Sequence, residues 1–118
     1  MVSSAKIFRI AKDTDLGFVA QKLKDYREEE PFEGKTQEFD LITEVTDLRS
    51  EDGVLYGTYS NDTLVSVYHR SGEVEVPKTK ETELVFQEKK GEIFLIVLGD
   101  KPRANRIAND VSEALFLK

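Results

Sequence analysis

Hydrophobic and polar positions follow two different periods along this chain, and the most apolar stretch lies near its end. Six apolar residues in a row, at 93–98, can be buried on both faces and predict the central strand of a sheet. Gly99 and Asp100 follow, and Pro102 opens a segment with apolar residues every three or four positions. Asp100 ahead of a first-turn proline is a helix start signal. The spacing predicts a helix with one buried stripe, formed by Ala104, Ile107, Ala108, Val111, Ala114 and Leu115.

The N-terminal part of the chain predicts a strand followed by a helix. Residues 6–10 are rich in β-branched and aromatic side chains, which indicates a first strand. A helix is expected over residues 15–29, capped by Asp13 or Thr14, because its apolar residues recur at helical spacing. The stripe comprises Leu16, Val19, Ala20, Leu23 and Tyr26. Glutamates at 28–30 suit the negative end of a helix poorly, so we expect fraying there and a loop from Pro31.

From residue 37 onward the apolar residues alternate with polar ones, which predicts strands. The strands are expected to begin near 37 and to cover 54–59, 64–68, 74–76 and 83–87. Turns are expected at 52–53, 60–62, 71–72 and 90–91, with a polar connection at 77–82. Short connections favour antiparallel neighbours. The predicted fold is α+β, an antiparallel sheet of about five to six strands with two helices packed on one face, in the order strand, helix, strands, helix.

This order of elements resembles one repeat of the TATA-binding-protein fold, in which a strand and a helix precede a four-stranded antiparallel run and a closing helix. The resemblance covers most of the chain and rests on element order. It implies a nucleic-acid role, because two such repeats form a saddle on the minor groove. The strand faces expected to be exposed carry Asp40, Glu44, Glu73 and Glu75, which argue against DNA on that face. A helix-grip fold with a longer sheet is a competing architecture.

Composition narrows the class of protein. The 118 residues suit one α+β domain, 1–118, which is also a candidate N-terminal domain of a longer protein. A net charge of −6 disfavours phosphate and anionic lipid as partners. Cysteine is absent, which excludes disulfides, thiolate nucleophiles and cysteine zinc sites. No apolar stretch approaches the ~20 residues of a membrane span, so we expect a cytoplasmic protein without membrane contact.

The titratable residues form no recognisable catalytic pattern. The single histidine, His69, would need a nucleophile and an orienting carboxylate to act as a base. The glutamates at 28–30, with Glu33, lack the spacing of a calcium loop and indicate a solvated charge run. The glycines match neither the phosphate-loop nor the dinucleotide spacing. We therefore expect no enzyme activity, no cofactor and no metal site.

Two groups of residues are candidates for contact with a partner. Three tyrosines in adjacent predicted strands could form an aromatic interaction surface, although the demands of the core favour burial of at least two of them: Tyr56, Tyr59 and Tyr68. A basic patch for an anion or a nucleic acid would form if the turn at 90–91 and the start of the last helix lay at one end of the sheet. Its members are Lys89, Lys90, Lys101, Arg103 and Arg106.

Three functional hypotheses follow from these observations. The first is a non-catalytic protein-interaction or regulatory module, with a protein partner or self-association through a sheet edge or an uncovered sheet face. The alternative is a nucleic-acid-associated domain with a TATA-binding-protein-like fold that uses the basic residues of the C-terminal half. The third, which has the least support, is an acid/base enzyme that uses carboxylates and His69.

Overall fold

One antiparallel sheet and two helices make up the fold. The computed structural model describes residues 4–12, 14–33 and 38–116. The elements in chain order are β1 (Lys6–Lys12), α1 (Leu16–Lys24), β2 (Arg27–Glu33), β3 (Glu38–Glu51), β4 (Val54–His69), β5 (Gly72–Lys89), β6 (Glu92–Val97) and α2 (Lys101–Phe116). All six strands lie in one sheet, in the spatial order β1-β6-β5-β4-β3-β2, and every neighbouring pair is antiparallel. The α+β class is confirmed.

The two tight hairpins that the sequence predicts at Asp-Gly and Lys-Gly are confirmed. Asp52 and Gly53 have φ angles of 49° and 77°, and Lys90 and Gly91 have φ angles of 53° and 79°. Positive φ at both central residues is the requirement of a two-residue turn whose twist matches that of its strands. These turns fix the register of β3 with β4 and of β5 with β6.

Helix α2 agrees with the prediction from its periodicity. The Arg103 amide donates a 3.0 Å hydrogen bond to Oδ1 of Asp100, which therefore caps the first turn. The predicted stripe is buried in full: Ala104, Ile107, Ala108, Val111, Ala114 and Leu115.

The run at 93–98 contributes strand β6 (Glu92–Val97), but the expectation of a central strand is wrong, and β6 is fully buried on one face only. Strand β6 lies between β1 and β5, one place from the edge of the sheet. Ile93, Leu95 and Val97 are fully buried, whereas Phe94 and Ile96 are half-buried. The run is therefore not buried on both faces, although its composition allows it.

The first helix is shorter than predicted, and its expected frayed end is a strand. Helix α1 ends at Lys24, and the glutamates at 28–30 lie in β2, paired with β3 from Arg27↔Glu44 to Glu33↔Glu38. The glutamate side chains are exposed there, which an edge strand allows at no desolvation cost. The helix cap is Asp15, whose Oδ1 accepts the Phe18 amide at 2.9 Å. The expected cap Asp13 lies outside the described residues.

Strands β4 and β5 run through the turn predicted at 60–62 and the connection predicted at 77–82. Of the polar residues that suggested a turn, Asp62 has hydrogen-bond partners on both neighbouring strands. Asp62 accepts the Ile42 amide at 3.0 Å and the Thr79 hydroxyl at 2.6 Å, so its carboxylate joins β3 and β5 to β4. Asn61 is buried, with 3% of its surface exposed.

The β4–β5 hairpin projects beyond its neighbours. Strand β3 pairs with β4 only as far as Asn61, and β6 pairs with β5 only from Leu84 onward. We call the free part of this hairpin, residues 62–79, the arm. Its length accords with the elongated shape of the molecule, whose principal extents are 58 × 34 × 21 Å.

The core joins both helices to alternate positions of the strands. Its members include Val19 and Leu23 of α1, together with the buried stripe of α2. From the sheet come Val45, Leu55, Tyr59, Leu84, Phe86, Ile93, Leu95 and Val97. We call the sheet face that carries these residues the inner face. Among the described residues, no helix is long and apolar enough to cross a membrane.

Candidate functional site

The arm exposes an apolar surface. Its cross-strand pairs Val65↔Val76 and Val67↔Val74 place four valines on one face, since directly opposed residues share a face. Val65 and Val67 are 36% and 45% exposed, and Tyr68, near the tip, is 80% exposed. A two-stranded ribbon without further support is marginally stable in water. The arm would therefore gain stability from contact with a partner.

The two edges of the arm differ in their protection against strand pairing. The β5 edge carries Pro77, Lys78, Glu73 and Glu75, and prolines and charges of this kind discourage edge-to-edge association. The β4 edge at 63–68 reads Thr-Leu-Val-Ser-Val-Tyr and carries neither charge nor proline. Both edges of the arm lack a neighbouring strand among the described residues, and the β4 edge is the less protected of the two.

An acidic groove lies at the base of the arm, where β3 separates from β4. Its volume is about 310 Å³, and its lining comprises Glu28, Glu29, Glu30, Leu41, Thr43, Asp62 and Arg106. The lining includes four acidic residues and one arginine, and Glu29 among them is already paired with Arg27. The groove is therefore suited to a cationic group.

Asn61, the cross-strand partner of Thr43, carries a buried hydrogen-bond acceptor and is not part of the groove lining. Its side chain is 3% exposed, and its Oδ1 has no hydrogen-bond partner among the described residues. Asn61 pairs directly with Thr43, which lines the groove, so both side chains lie on the same face. A buried carbonyl without a partner costs about 1–3 kcal/mol, and a donor from outside would remove that cost.

Two tyrosine hydroxyls donate hydrogen bonds to carboxylates, one of which, that of Glu28, belongs to the groove lining. Tyr59 donates a 2.5 Å hydrogen bond to Oδ2 of Asp110. Burial raises the pKa of Tyr59 well above its usual value, and the hydrogen bond to Asp110 adds to the shift. Burial likewise raises the pKa of Tyr26, followed by the charge of Glu28, which accepts a hydrogen bond from Tyr26. Both hydroxyls are thus neutral donors that hold carboxylates in place.

Arg103 joins α2 to β5. Its Nε donates to the Thr82 hydroxyl at 2.5 Å, and its guanidinium lies 5.9 Å from the ring centroid of Tyr59. A further nitrogen donates to the Lys80 carbonyl at 3.4 Å. Burial lowers the pKa of Arg103 from its usual value. The Arg103 side chain is therefore engaged in contacts within the fold.

The structure separates the basic residues that the sequence suggested as a patch. Lys89 and Lys90 lie at the turn that enters β6, whereas Lys101 and Arg103 follow the other end of that strand. Six residues of extended chain span about 20 Å. Arg106 alone reaches the acidic groove. A role for these residues in anion or nucleic-acid contact stays a prediction.

The three tyrosines have three different environments and form no common platform. Tyr59 is 1% exposed on the inner face. Tyr56 is half-buried, with the Arg49 guanidinium 5.0 Å from its ring centroid, and Tyr68 is exposed. Tyr56 and Tyr68 lie an even number of residues apart and thus share the opposite face. The expectation that at least two would be buried is wrong, because one half of β4 belongs to the arm.

The remaining sequence candidates lie apart from the groove or outside the described side chains. His69 pairs with Gly72 through its backbone at the arm tip, and its side chain is outside the description. Within the described ranges, no three His, Asp or Glu side chains are placed to hold a metal ion. Sequence reasoning missed Asn61, because Asn followed by Asp is a common turn signal.

No protein-family model, curated protein sequence or solved structure matches this chain. The functional argument therefore rests on the arm, the groove and their chemistry.

Proposed function

We propose that this protein is a non-catalytic interaction module that self-associates through the β4 edge of its arm. The observation that carries the proposal is the unpaired, uncharged stretch at 63–68, beside a face of four valines. Free strand edges of this composition pair readily with another strand. Pairing would satisfy the free backbone groups and cover apolar side chains in one step.

A second copy of the chain fits this edge well. Antiparallel pairing of β4 with itself about a two-fold axis at Ser66 places Val65 opposite Val67 of the second copy, and the reverse. The same register places Leu64 opposite Tyr68 of the second copy. At the ends it places Asp62 opposite Arg70 of the second copy, so that charges of opposite sign meet. A single register thus matches apolar with apolar and acid with base.

The fold-level part of the proposal is that both helices cover the inner face. Support comes from the core, which contains residues of both helices and only alternate residues of β4, β5 and β6. Tyr56, Val85, Phe94 and Ile96 alternate with those core residues and lie outside the core cluster. The opposite face would then be the uncovered one, as expected from the amphipathic helices.

The nucleic-acid alternative has less support. Lys89 and Lys90 lie at the opposite end of β6 from Lys101 and Arg103, so they do not add to one patch. The chain has five strands between its helices, against four in one TATA-binding-protein repeat. The likeness to that fold is therefore an analogy of element order, and analogy alone is weak support for function.

Light scattering after size exclusion, over a wide range of concentration, tests self-association. We expect the purified chain to be a dimer that dissociates on dilution. Val65→Lys with Val67→Lys should give a monomer, because the lysines of each copy would face those of the other. Glu73→Lys is the matched control. It changes a charge on the same arm but on β5, the strand whose edge is already protected by charges and a proline.

Hydrogen exchange provides a second test of dimer formation. Backbone amides at 63–69 that face the free edge should be protected at high concentration and lose that protection on dilution. Circular dichroism and urea unfolding should show that the lysine variant keeps its fold. A natural chain that is monomeric at every concentration would contradict the proposal, as would a double-lysine variant that dimerises equally tightly.

A further inference from the structure

We propose that the sheet face opposite the inner face is a docking site for a basic amphipathic helix of a partner protein. We call it the outer face. This docking is a second interaction, separate from self-association through the arm. It rests on one part of the proposed function, the coverage of the inner face by both helices, because the outer face is then the one without a covering layer.

A row of apolar side chains crosses four neighbouring strands of the outer face. Ile7 of β1 pairs with Ile96 of β6, which pairs with Val85 of β5. Val85 in turn pairs with Tyr56 of β4. Directly opposed residues share a face, so these side chains stand side by side over about 14 Å. None of the four belongs to the core cluster or to the residues packed against it.

The apolar surface also extends along β6. Phe94 and Ile96 alternate with its core residues and are half-buried, and Leu98, two positions further on, is 43% exposed. Ile7, beside Ile96, is 64% exposed. Alternate residues of a strand repeat about every 6.7 Å, and every fourth residue of a helix repeats about every 6 Å. The apolar stripe of a helix laid along β6 would therefore meet these side chains in succession.

Free carboxylates border the apolar surface. Glu81 and Glu83 lie two and four positions from Val85 on β5, so they share its face. Glu83 adjoins Leu98, whose amide donates a 3.1 Å hydrogen bond to the Glu83 carbonyl. Both glutamates are exposed, and neither carboxylate has a hydrogen bond or an ion pair with any described residue. They are therefore available to a cation beside the apolar surface.

Strand β5 segregates its charges by face. From residue 73 to residue 83, every glutamate has an odd number and lies on the outer face, at 73, 75, 81 and 83. The two lysines of this stretch, Lys78 and Lys80, have even numbers and lie on the inner side. A line of negative charge thus continues from the apolar surface towards the arm tip.

The basic residues on the outer face do not cancel this charge. Arg9 and Arg27 each form a 3.5 Å ion pair with a glutamate of the neighbouring strand. Arg49 lies 5.0 Å from the ring centroid of Tyr56. Lys89 is at the far end of β5, beside the turn. The free glutamates therefore determine the charge next to the apolar row.

These features define the chemistry of the partner. Apolar contacts and neighbouring carboxylates together match a helix that carries lysines or arginines beside an apolar stripe. Nucleic acid and anionic lipid have the wrong sign of charge. A second copy stacked face to face would bring Glu81 and Glu83 of both chains into one interface, which repulsion disfavours. A basic amphipathic helix satisfies both requirements.

A peptide titration tests the site. The probe is a helical peptide of about 18 residues, or about 27 Å, with a leucine stripe flanked by lysines. Its comparison peptide has glutamates in place of the lysines. Fluorescence anisotropy should show the lysine peptide binding the natural chain at least about tenfold more tightly, with a difference that shrinks as salt is added. Equal binding of the two peptides, or no binding of either, would overturn the inference.

Two variants, each with a control, locate the peptide. Ile7→Ser removes an exposed apolar side chain on an edge strand and should weaken binding several-fold, whereas Phe116→Ser, at an exposed position of α2, should not. Glu83→Lys should also weaken binding several-fold. Glu88→Lys makes the same charge change on the same strand, but Glu88 lies opposite Ile93 on the inner face, so binding should persist. Equal losses in the two charge variants would indicate non-specific attraction and overturn the site.

The remaining outcomes distinguish docking from the proposed function. The monomeric Val65→Lys, Val67→Lys variant should bind the lysine peptide as tightly as the natural chain, with chemical-shift changes at residues 7–9, 83–85 and 94–98. Changes confined to residues 28–30 would place the peptide in the acidic groove and overturn the inference. A chain that dimerises but binds no basic peptide would leave self-association standing. If Val85→Ala destabilised the fold as much as a core truncation, the outer face would be packed, and the proposed coverage would fail together with the docking.

Discussion

The hydroxyl of Tyr59 donates a 2.5 Å hydrogen bond to Oδ2 of Asp110 and so fastens the middle of the sheet to the middle of α2. Tyr59 is buried in β4, whereas Asp110 is half-buried on the helix. The bond joins positions that are 51 residues apart in the chain. Helix α2 also contributes Arg106 to the lining of the acidic groove.

Removal of this hydroxyl should lower stability. Tyr59→Phe should reduce the free energy of unfolding by about 1–2 kcal/mol, since the bond has a charged acceptor that water would only partly replace. Urea unfolding measures the change. Tyr56→Phe is the control, because the Tyr56 hydroxyl has no hydrogen-bond partner among the described residues, and it should be nearly neutral. Equal effects of the two variants would contradict the structural role of Tyr59.

The raised pKa values of the two tyrosines predict a loss of stability in alkali. Burial raises the pKa of Tyr59 and Tyr26 above their usual value in the unfolded chain. The folded state then holds these protons more tightly, so stability is unaffected below about pH 10 and falls as the pH rises above it. Urea unfolding at about pH 8 and about pH 11 should show a smaller fall for Tyr59→Phe than for the natural chain. An identical fall would contradict the prediction.

Adjacent residues of β5 should differ sharply in their tolerance of truncation. Leu84 is fully buried in the core, so Leu84→Ala should cost about 2–5 kcal/mol of unfolding free energy. Val85 is half-buried and outside the core cluster, so Val85→Ala should cost about 1 kcal/mol or less. Urea unfolding of both variants also probes the coverage of the sheet. A cost for Val85→Ala as large as that of Leu84→Ala would mean that the second face is packed too.

The cap of α2 should make a measurable contribution. Asp100→Ala removes the acceptor of the Arg103 amide and should lower the unfolding free energy by about 0.5–2 kcal/mol. Asp100→Asn keeps an oxygen at the same place and should lose much less. Thermal unfolding of the three chains compares them. If alanine and asparagine were equivalent, the cap would not be formed in solution.

The sequence predicted those elements whose local signals agree with their tertiary contacts. Helix α2 has a regular stripe, an N-terminal aspartate and no competing pattern, and all six of its stripe residues are buried. The turns at Gly53 and Gly91 follow from the positive φ that glycine tolerates. In these segments the local conformational preference and the tertiary packing favour the same structure.

The errors arose where a distant contact overrides a local preference. Asn61 and Asp62 have a turn signal, but the carboxylate of Asp62 bonds to β3 and β5 and keeps β4 extended. The glutamates of β2 have little preference for strands, but pairing with β3 places them at the sheet edge. The groove could not be foreseen, because its lining comes from β2, β3, β4 and α2, and no local pattern records that they meet.

The order of the strands bears on how the chain is made in the cell. The first strand pairs only with the last, from Lys6↔Val97 to Lys12↔Glu92. About 80 residues must be synthesised between these partners, which takes roughly 4–16 s at common translation rates of about 5–20 residues per second. During that interval β1 leaves the ribosome without its neighbour. A chain that stopped before residue 92 would lack the strand that pairs with β1, so β1 joins the sheet only after β6 has been made.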